Sequence, residues 1–249
     1  MPATDTFPQL LAATLARAAS QPLVTFYDDV TGERVELSVT TYANWVAKTA
    51  GLLQDELMLE RGATLLVDLP THWLGPVWLG AAWTTGMAVT DAPDQPHDAV
   101  VCGPDTLTVH AGRADAVPVV ALSLLPMGAA FRDPLPTGVV DYGRVVWGQP
   151  DAFLPDEPPE PDDVAWRDAH GSRTQAELLA ATGEPAGTRL LTDVNPVSTE
   201  GLATVLGPLA AAGGTVWLRH PDPDGWERRA AAEQATRVLR SGGADQPRS

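Results

Sequence analysis

GATLLVDLPTHWLGPVWLGAAWTTGMAVTDAP, residues 62–93, decides the fold. The apolar run from Ala63 to Leu69 has the length of a strand. From about His72 to Thr85 the chain carries Trp73, Val77, Trp78, Leu79 and Trp83 over a helical length, Gly86 closes that helix, and Met87 to Thr90 begins another strand. Strand, helix and strand with short connections form a crossover, which lays parallel strands beneath a covering helix. The expected class is therefore α/β, with largely parallel sheets. Leu69 to Thr90 carries no Asp, Glu, Lys or Arg, but Pro70, Gly75, Pro76, Gly80 and Gly86 interrupt it, so it reads as buried helix and strand rather than a membrane span. The N-terminus shows no secretory pattern, and the expected localisation is cytoplasmic.

Working outward, residues 6–19 read as an amphipathic helix. Leu23–Tyr27 and Arg34–Leu37 flank turn residues Asp28 to Glu33 and read as a hairpin, after which Thr40 or Thr41 caps a helix reaching Leu57. Val100-Val101 and Val117 to Leu125 supply further strands, with Leu107 to His110 as a shorter edge strand. DAFLPDEPPEPDD, residues 151–163, is proline-rich and acidic and reads as an exposed connector. It divides the expected architecture into two sheet-and-helix lobes, 1–150 and 164–240. The second holds a helix at 174–182, a strand at 188–193, a helix at 200–212, a strand at 215–219 and a final helix at 226–239, and 241–249 reads as a disordered tail. TGERVELSVTTYANWVAKTA and AHGSRTQAELLAAT echo one another, each a turn followed by a helix opened by threonine.

The 249 residues, 44% hydrophobic, suffice for one large core or two smaller ones. Sixteen basic residues, of which one is lysine, against 32 acidic ones give a formal charge of −16, which excludes nucleic acid and anionic membrane as partners. Cys102 is the only cysteine and lies in an apolar run, so it reads as a buried hydrophobe. His72, His97, His110, His170 and His220 have no metal-site spacing, and no metal is expected. Phosphate-loop, dinucleotide and nucleophile-elbow motifs are absent, and no catalytic residue is assigned. Asp28-Asp29 and Asp162-Asp163 sit in turn and linker contexts suited to solvated carboxylates. Trp73, Trp78 and Trp83 read as core or as a subunit interface, which makes a homodimer or a protein partner an open expectation.

Three segments carry a resemblance: TGERVELSVTTYANWVAKTAGLL, GAAWTTGMAVTDAP, and Asp162-Asp163-Val164-Ala165. Together they resemble the N-terminal part of the adenylate-forming superfamily, the acyl-CoA synthetases and luciferases. Asn195 to Leu202 and Gly207 to Val216 are similar to two later segments of that family, with Val197 and Ser198 where the family has an aromatic residue and histidine. After Ala165 the family carries a Ser/Thr/Gly-rich loop ending in lysine that holds ATP phosphates. This chain has Trp166 to Arg173 there, and its single lysine, Lys48, lies in an early helix. The chain is also similar to actinobacterial proteins that share this shortened form.

The resemblance implies a non-catalytic derivative that binds a small acyl or nucleotide-like ligand or a protein partner, with no cofactor. The alternative is an acyl-CoA synthetase-like component that uses ATP or AMP and CoA with a partner supplying the missing parts. Ligands of parallel sheets gather at strand carboxyl ends, so the candidate ligand residues are Ser198, Thr199, Glu200 and Gly201 facing Asp168 and His170. Ser198 or Thr199 equally suits the N-cap of the following helix.

Overall fold

The computed structural model describes residues 4–242 and 246–247. Helix α1 (Phe7–Ala18) leads into strands β1 (Pro22–Asp28) and β2 (Glu33–Ser38), then α2 (Val39–Gly51), which a π-helical turn at Leu52–Glu56 extends. Strand β3 (Thr64–Asp68), α3 (Leu74–Thr84) and β4 (Ala88–Thr90) form the crossover, followed by β5 (Ala99–Cys102), α4 (Leu107–His110), β6 (Val119–Ala121), β7 (Val139–Asp141) and α5 (Tyr142–Val145). Next come β8 (Val164–Asp168), β9 (Gly171–Thr174), α6 (Gln175–Ala180), β10 (Arg189–Thr192), α7 (Leu202–Ala210) and β11 (Gly214–Arg219). Helix α8 (Trp226–Ala232), β12 (Arg237–Leu239) and β13 (Gln246–Pro247) complete the described chain.

Among the described residues the strands form a six-stranded sheet, β13-β12-β10-β11-β1-β2, and a seven-stranded sheet, β7-β6-β5-β3-β4-β8-β9. Both are largely parallel, as expected, and each ends in an antiparallel hairpin, β1–β2 or β8–β9. Each hairpin feeds a capped helix, which accounts for the sequence echo. The Ser38 hydroxyl accepts Thr41 N–H at 3.1 Å, and Thr174 accepts Glu177 N–H at 3.2 Å while Glu177 accepts Thr174 N–H at 2.8 Å. The chain changes sheet between β2 and β3 and again between β9 and β10, whereas residues 151–163 lie on the connection between β7 and β8 of the same seven-stranded sheet. A proline-rich acidic stretch marks exposed backbone, not a change of sheet.

Alternation sets the layers. Leu65, Val67, Ala99 and Val101 join Val24, Phe26, Leu37 and Trp217 in one cluster with α1, α2, α3 and α7. The opposite faces form two outer clusters, Leu66, Val100 and Cys102 on one sheet and Leu191, Val216 and Leu218 with Trp226 of α8 on the other. The helix layer therefore lies between the sheets, and α3 is buried from Leu74 to Trp83. Trp73, Trp78 and Trp83 are core residues, at most 1% exposed. Pro208 within α7 has no N–H to give the Thr204 carbonyl, which instead accepts the Thr215 hydroxyl at 2.6 Å.

Four local expectations change. Leu107–His110 is a helical turn, because Leu107 and His110, three residues apart, both face the sheet and leave Val109 68% exposed. The expected final helix stops at Ala232. Gln234 adopts φ 53°, and Arg237–Leu239 pairs in parallel with β10. Ser38, rather than Thr40 or Thr41, caps α2. Ahead of the helix expected to open the second lobe, Val164–Asp168 and Gly171–Thr174 form the hairpin β8–β9, and the polar GSRT strand carries no apolar alternation to announce it. Of the expected disordered tail, 243–245 and 248–249 lie outside the described residues, while Gln246–Pro247 pairs with β12.

Gly80 sets the closeness of the helix layer. A Cβ there would meet Tyr42 Oη at 2.6 Å, Val46 Cγ2 at 2.8 Å and Phe7 Cζ at 3.0 Å, and Tyr42 is fixed by its bond to the Pro76 carbonyl at 2.9 Å. Gly80→Ala gains up to about 1 kcal/mol of helix propensity but overpacks at a cost of about 1–3 kcal/mol. We expect a net loss on the order of 1 kcal/mol, read as a lower denaturant midpoint at unchanged slope. A raised midpoint would show that the layer has room.

Candidate functional site

The carboxyl ends of the two sheets meet. Strands β1, β3 and β8 end in Asp28, Asp68 and Asp168, while Asp91 and Asp193 directly follow β4 and β10. A short polar side chain here accepts an N–H of the departing loop: Asp28 takes Val30 N–H at 2.9 Å, Asp168 takes His170 N–H at 2.8 Å, and Thr192 takes Val194 N–H at 3.0 Å.

Direct bonds tie the two edges together. The Thr199 hydroxyl and Trp166 indole donate to Asp168 Oδ2 at 2.8 and 3.0 Å, and Asn195 Nδ2 donates to the Leu69 carbonyl at 2.8 Å. Arg219 lies 3.7 Å from Asp105 and 4.0 Å from Asp28, which also meets His220 Nδ1 at 3.1 Å. At the tip of β3, Asp68 meets the buried His110 Nε2 at 2.7 Å.

Burial pushes the Asp168 carboxyl up, but bonds from Thr199, His170 N–H and Trp166, with the charge of Arg173, outweigh it and hold the group below the ordinary range. Asp91 is raised, first by burial and then by the charge of Asp168. Burial and the charge of Asp68 push the Cys102 thiol up to about 12, which makes it a poor nucleophile.

Of the residues expected at a ligand, Asp168 and Thr199 are brought into direct contact, and His170 reaches Asp168 through its backbone. Ser198 donates to the Asn195 carbonyl at 2.8 Å and accepts Gly201 N–H at 3.0 Å, shaping the turn before α7. Gly201 allows a close approach, since a Cβ would sit 1.7 Å from the Asn195 carbonyl oxygen. Glu200 is exposed and joins none of these bonds. Lys48 sits far along the chain in α2, bonded to the Gln149 carbonyl and 3.0 Å from Asp151.

Sequence reading missed Trp166, Arg173, Arg219 and the Asp68–His110 pair. The signal for the strand-ending carboxylates was present, as apolar runs stopping at Asp in LLVDLP, AWRDAH and LLTDVNP. Nothing local links Asp68 to His110, 42 residues away.

Beside Thr199 lies a cavity of about 80 Å³ whose lining includes Arg173, Leu178, Leu202, Ala203 and Leu206. Arg173 Nη2 is buried without a hydrogen-bond partner, and Asp168 Oδ2 lies 3.9 Å away. Nucleotide-sized ligands need roughly 300 Å³ or more, so this space suits only a small group. Among the described residues no group of three or more His, Cys, Asp or Glu could hold a metal ion. None of their helices is long and apolar enough to cross a membrane.

His72 is 1% exposed at this junction, its Nδ1 accepting Leu74 N–H at 3.2 Å and its Nε2 unpartnered. Burial, aided by the charge of Arg219, lowers its pKa to about 3. The unfolded chain takes this proton near pH 6.5 and the folded chain does not, so stability falls as pH drops between those values, by up to about 1.4 kcal/mol per unit from this group. Urea unfolding across pH 4–7 should show a shallower acid slope in His72→Phe. An unchanged slope would assign the acid loss to other groups.

No family model matches the chain. The TIGR03089 family protein of Mycobacterium tuberculosis (strain ATCC 25618 / H37Rv) is 38% identical over 224 residues, 88% of this chain and 91% of that protein. Among solved structures, the acyl-CoA synthetase of Brucella canis superposes with a TM-score of 0.75 at 14% identity over 93% of this chain and 47% of that one. The acetoacetyl-CoA synthetase of Streptomyces lividans gives 0.76 at 16% identity over 94% and 42%. The anthranilate CoA ligase AuaEII in complex with anthranoyl-AMP gives 0.73 at 10% identity over 94% and 49%. The chain spans about half the length of these solved structures and shares their fold.

Proposed function

The chain belongs to the TIGR03089 family, and on that premise we propose that it is a non-catalytic derivative of an adenylate-forming enzyme that binds a small acyl ligand, as its carboxylate, where the two sheets meet. The observation that carries this reading is the buried Arg173 Nη2, which has no hydrogen-bond partner and lies 3.9 Å from Asp168 Oδ2, at a cavity that Leu178, Leu202 and Leu206 line together with Thr182, Thr199 and Glu184. A guanidinium with an unused donor holds a carboxylate by a charge-assisted bond, and Leu178, Leu202 and Leu206 offer an acyl tail an apolar wall. The volume of about 80 Å³ limits that tail to a few carbons.

The same edge is unsuited to phosphates. After Ala165, where the resemblance puts the phosphate loop, the chain turns tightly from Asp168 to Gly171, and Asp28, Asp68, Asp91 and Asp193 add carboxylates around it. Like charges at a site cost binding free energy, more for the several charges of a polyphosphate than for the single charge of a carboxylate. Likeness to acyl-CoA synthetases supports the other reading, an enzyme component that uses ATP with a partner.

Thermal unfolding in the presence of acetate, propionate or butyrate, and separately of magnesium-ATP, AMP or CoA, tests this. A ligand at about 100 times its Kd stabilises the folded state by about 2.7 kcal/mol. We expect a rise in Tm with a short carboxylate, lost in Arg173→Gln, and none with nucleotide. A saturable rise with magnesium-ATP would favour the enzyme reading.

A further inference from the structure

Away from that edge, a groove of about 510 Å³ starts at the amino ends of β1, β10 and β11 and runs toward Arg34 and Glu36 of β2. Its lining includes Gln21, Arg34, Glu36, Arg189, Glu233 and Gln234. The volume lies within the range of small-molecule sites.

The charged groups here are fixed in place and incompletely used. Arg189 donates through Nη2 to Thr25 Oγ1 at 2.9 Å and to Glu233 at 2.7 Å, and through Nη1 to the Pro22 carbonyl at 3.3 Å. Its Nε–H has no partner among the described residues. Arg34 donates through Nε to Tyr27 Oη at 2.8 Å and through Nη2 to Glu36 Oε2 at 2.6 Å and Glu233 Oε1 at 3.5 Å, and among the described residues its Nη1 has no hydrogen-bond partner. Among the described residues Glu36 Oε1 and the side-chain amides of Gln21 and Gln234 likewise have no hydrogen-bond partner. Glu233 accepts from the Tyr27 hydroxyl as well as Arg189, which anchors the two guanidiniums to one carboxylate.

Two arginines and two glutamates make the lining neutral, inside a chain of formal charge −16. A lone anion would add a charge beside Glu36 and Glu233, and a lone cation beside Arg34 and Arg189. A zwitterion adds none, and its two ends match the unused atoms, guanidinium N–H for a carboxylate and Glu36 Oε1 for an ammonium.

We propose that this groove binds a free α-amino acid, its carboxylate on Arg34 and Arg189 and its ammonium on Glu36. This site is independent of the acyl reading, being built from other residues at another edge.

The test titrates the purified protein with the common L-amino acids at low salt, following ligand-detected NMR and then calorimetry. Arg34 and Glu36 have half-exposed side chains on an edge strand, 45% and 37% accessible, so neither is needed to form the core. At least one amino acid should bind, with affinity weakened about tenfold or more in Arg34→Gln and in Glu36→Gln. The N-acetyl form of that amino acid should fail to compete, and Arg173→Gln should leave the affinity unchanged. Absence of binding by every amino acid up to about 10 mM, or binding equal in wild type and both groove variants, would overturn the proposal. A Tm response to propionate that survives in Arg34→Gln belongs to the other site and leaves this result readable.

Discussion

Everything in this molecule depends on the burial of one helix on every side. Residues 74–84, LGPVWLGAAWT, offer no polar face to water, with Trp78 and Leu79 both fully buried. A helix apolar all round must be enclosed. A single sheet covers only one side of a helix, so α3 calls for a second sheet above it, and α1, α2 and α7 complete the layer between them. Each large side chain fully buried there contributes on the order of 2–3 kcal/mol, which is why the sheets share one central cluster while their outer faces have separate, smaller ones.

The shared layer fixes where chemistry can occur. Because α3 connects parallel strands and lies against both sheets, the turn entering it, Asp68 to Trp73, stands at the carboxyl edge of one sheet and touches loops of the other. Asn195 reaches the Leu69 carbonyl, Phe26 of β1 packs against His72 with ring centroids 4.8 Å apart, and Thr199 bonds Asp168. The last of these satisfies Asp168, whose neighbour Arg173 keeps a buried Nη2 without a hydrogen-bond partner. The edge is therefore closed and acidic rather than open and basic, which is the physical basis for reading a small acyl ligand instead of a nucleotide.

How much of this could be read in the sequence depended on whether the signal was local. The crossover at 62–93, the first hairpin and α1 announced themselves through periodicity and turn chemistry, and the class followed. Ser38 is not distinguished as the cap in the sequence, because Thr40 and Thr41, beyond Val39, are residues of equally suitable type. Leu107–His110 has β-type composition yet is helical, since the position of His110 under Asp68 is decided by a tertiary contact. The GSRT strand and Arg237–Leu239 were hidden because edge strands carry little apolar alternation. At the candidate site, Asp168 and Thr199 were legible as strand end and helix entry, whereas Arg173 was not, because its significance lies in an unpaired buried atom. The groove around Arg34 and Arg189 joins residues 155 positions apart and has no local signature at all.

The most direct test of the shared layer is native-state hydrogen exchange. If α3 binds both sheets into one unit, amides of β1 and β11 in the six-stranded sheet and of β3 and β5 in the seven-stranded sheet will exchange with those of α3 at one common free energy, in a single cooperative opening. Exchange of the six-stranded sheet at a distinctly lower free energy, with α3 and the other sheet still protected, would contradict it.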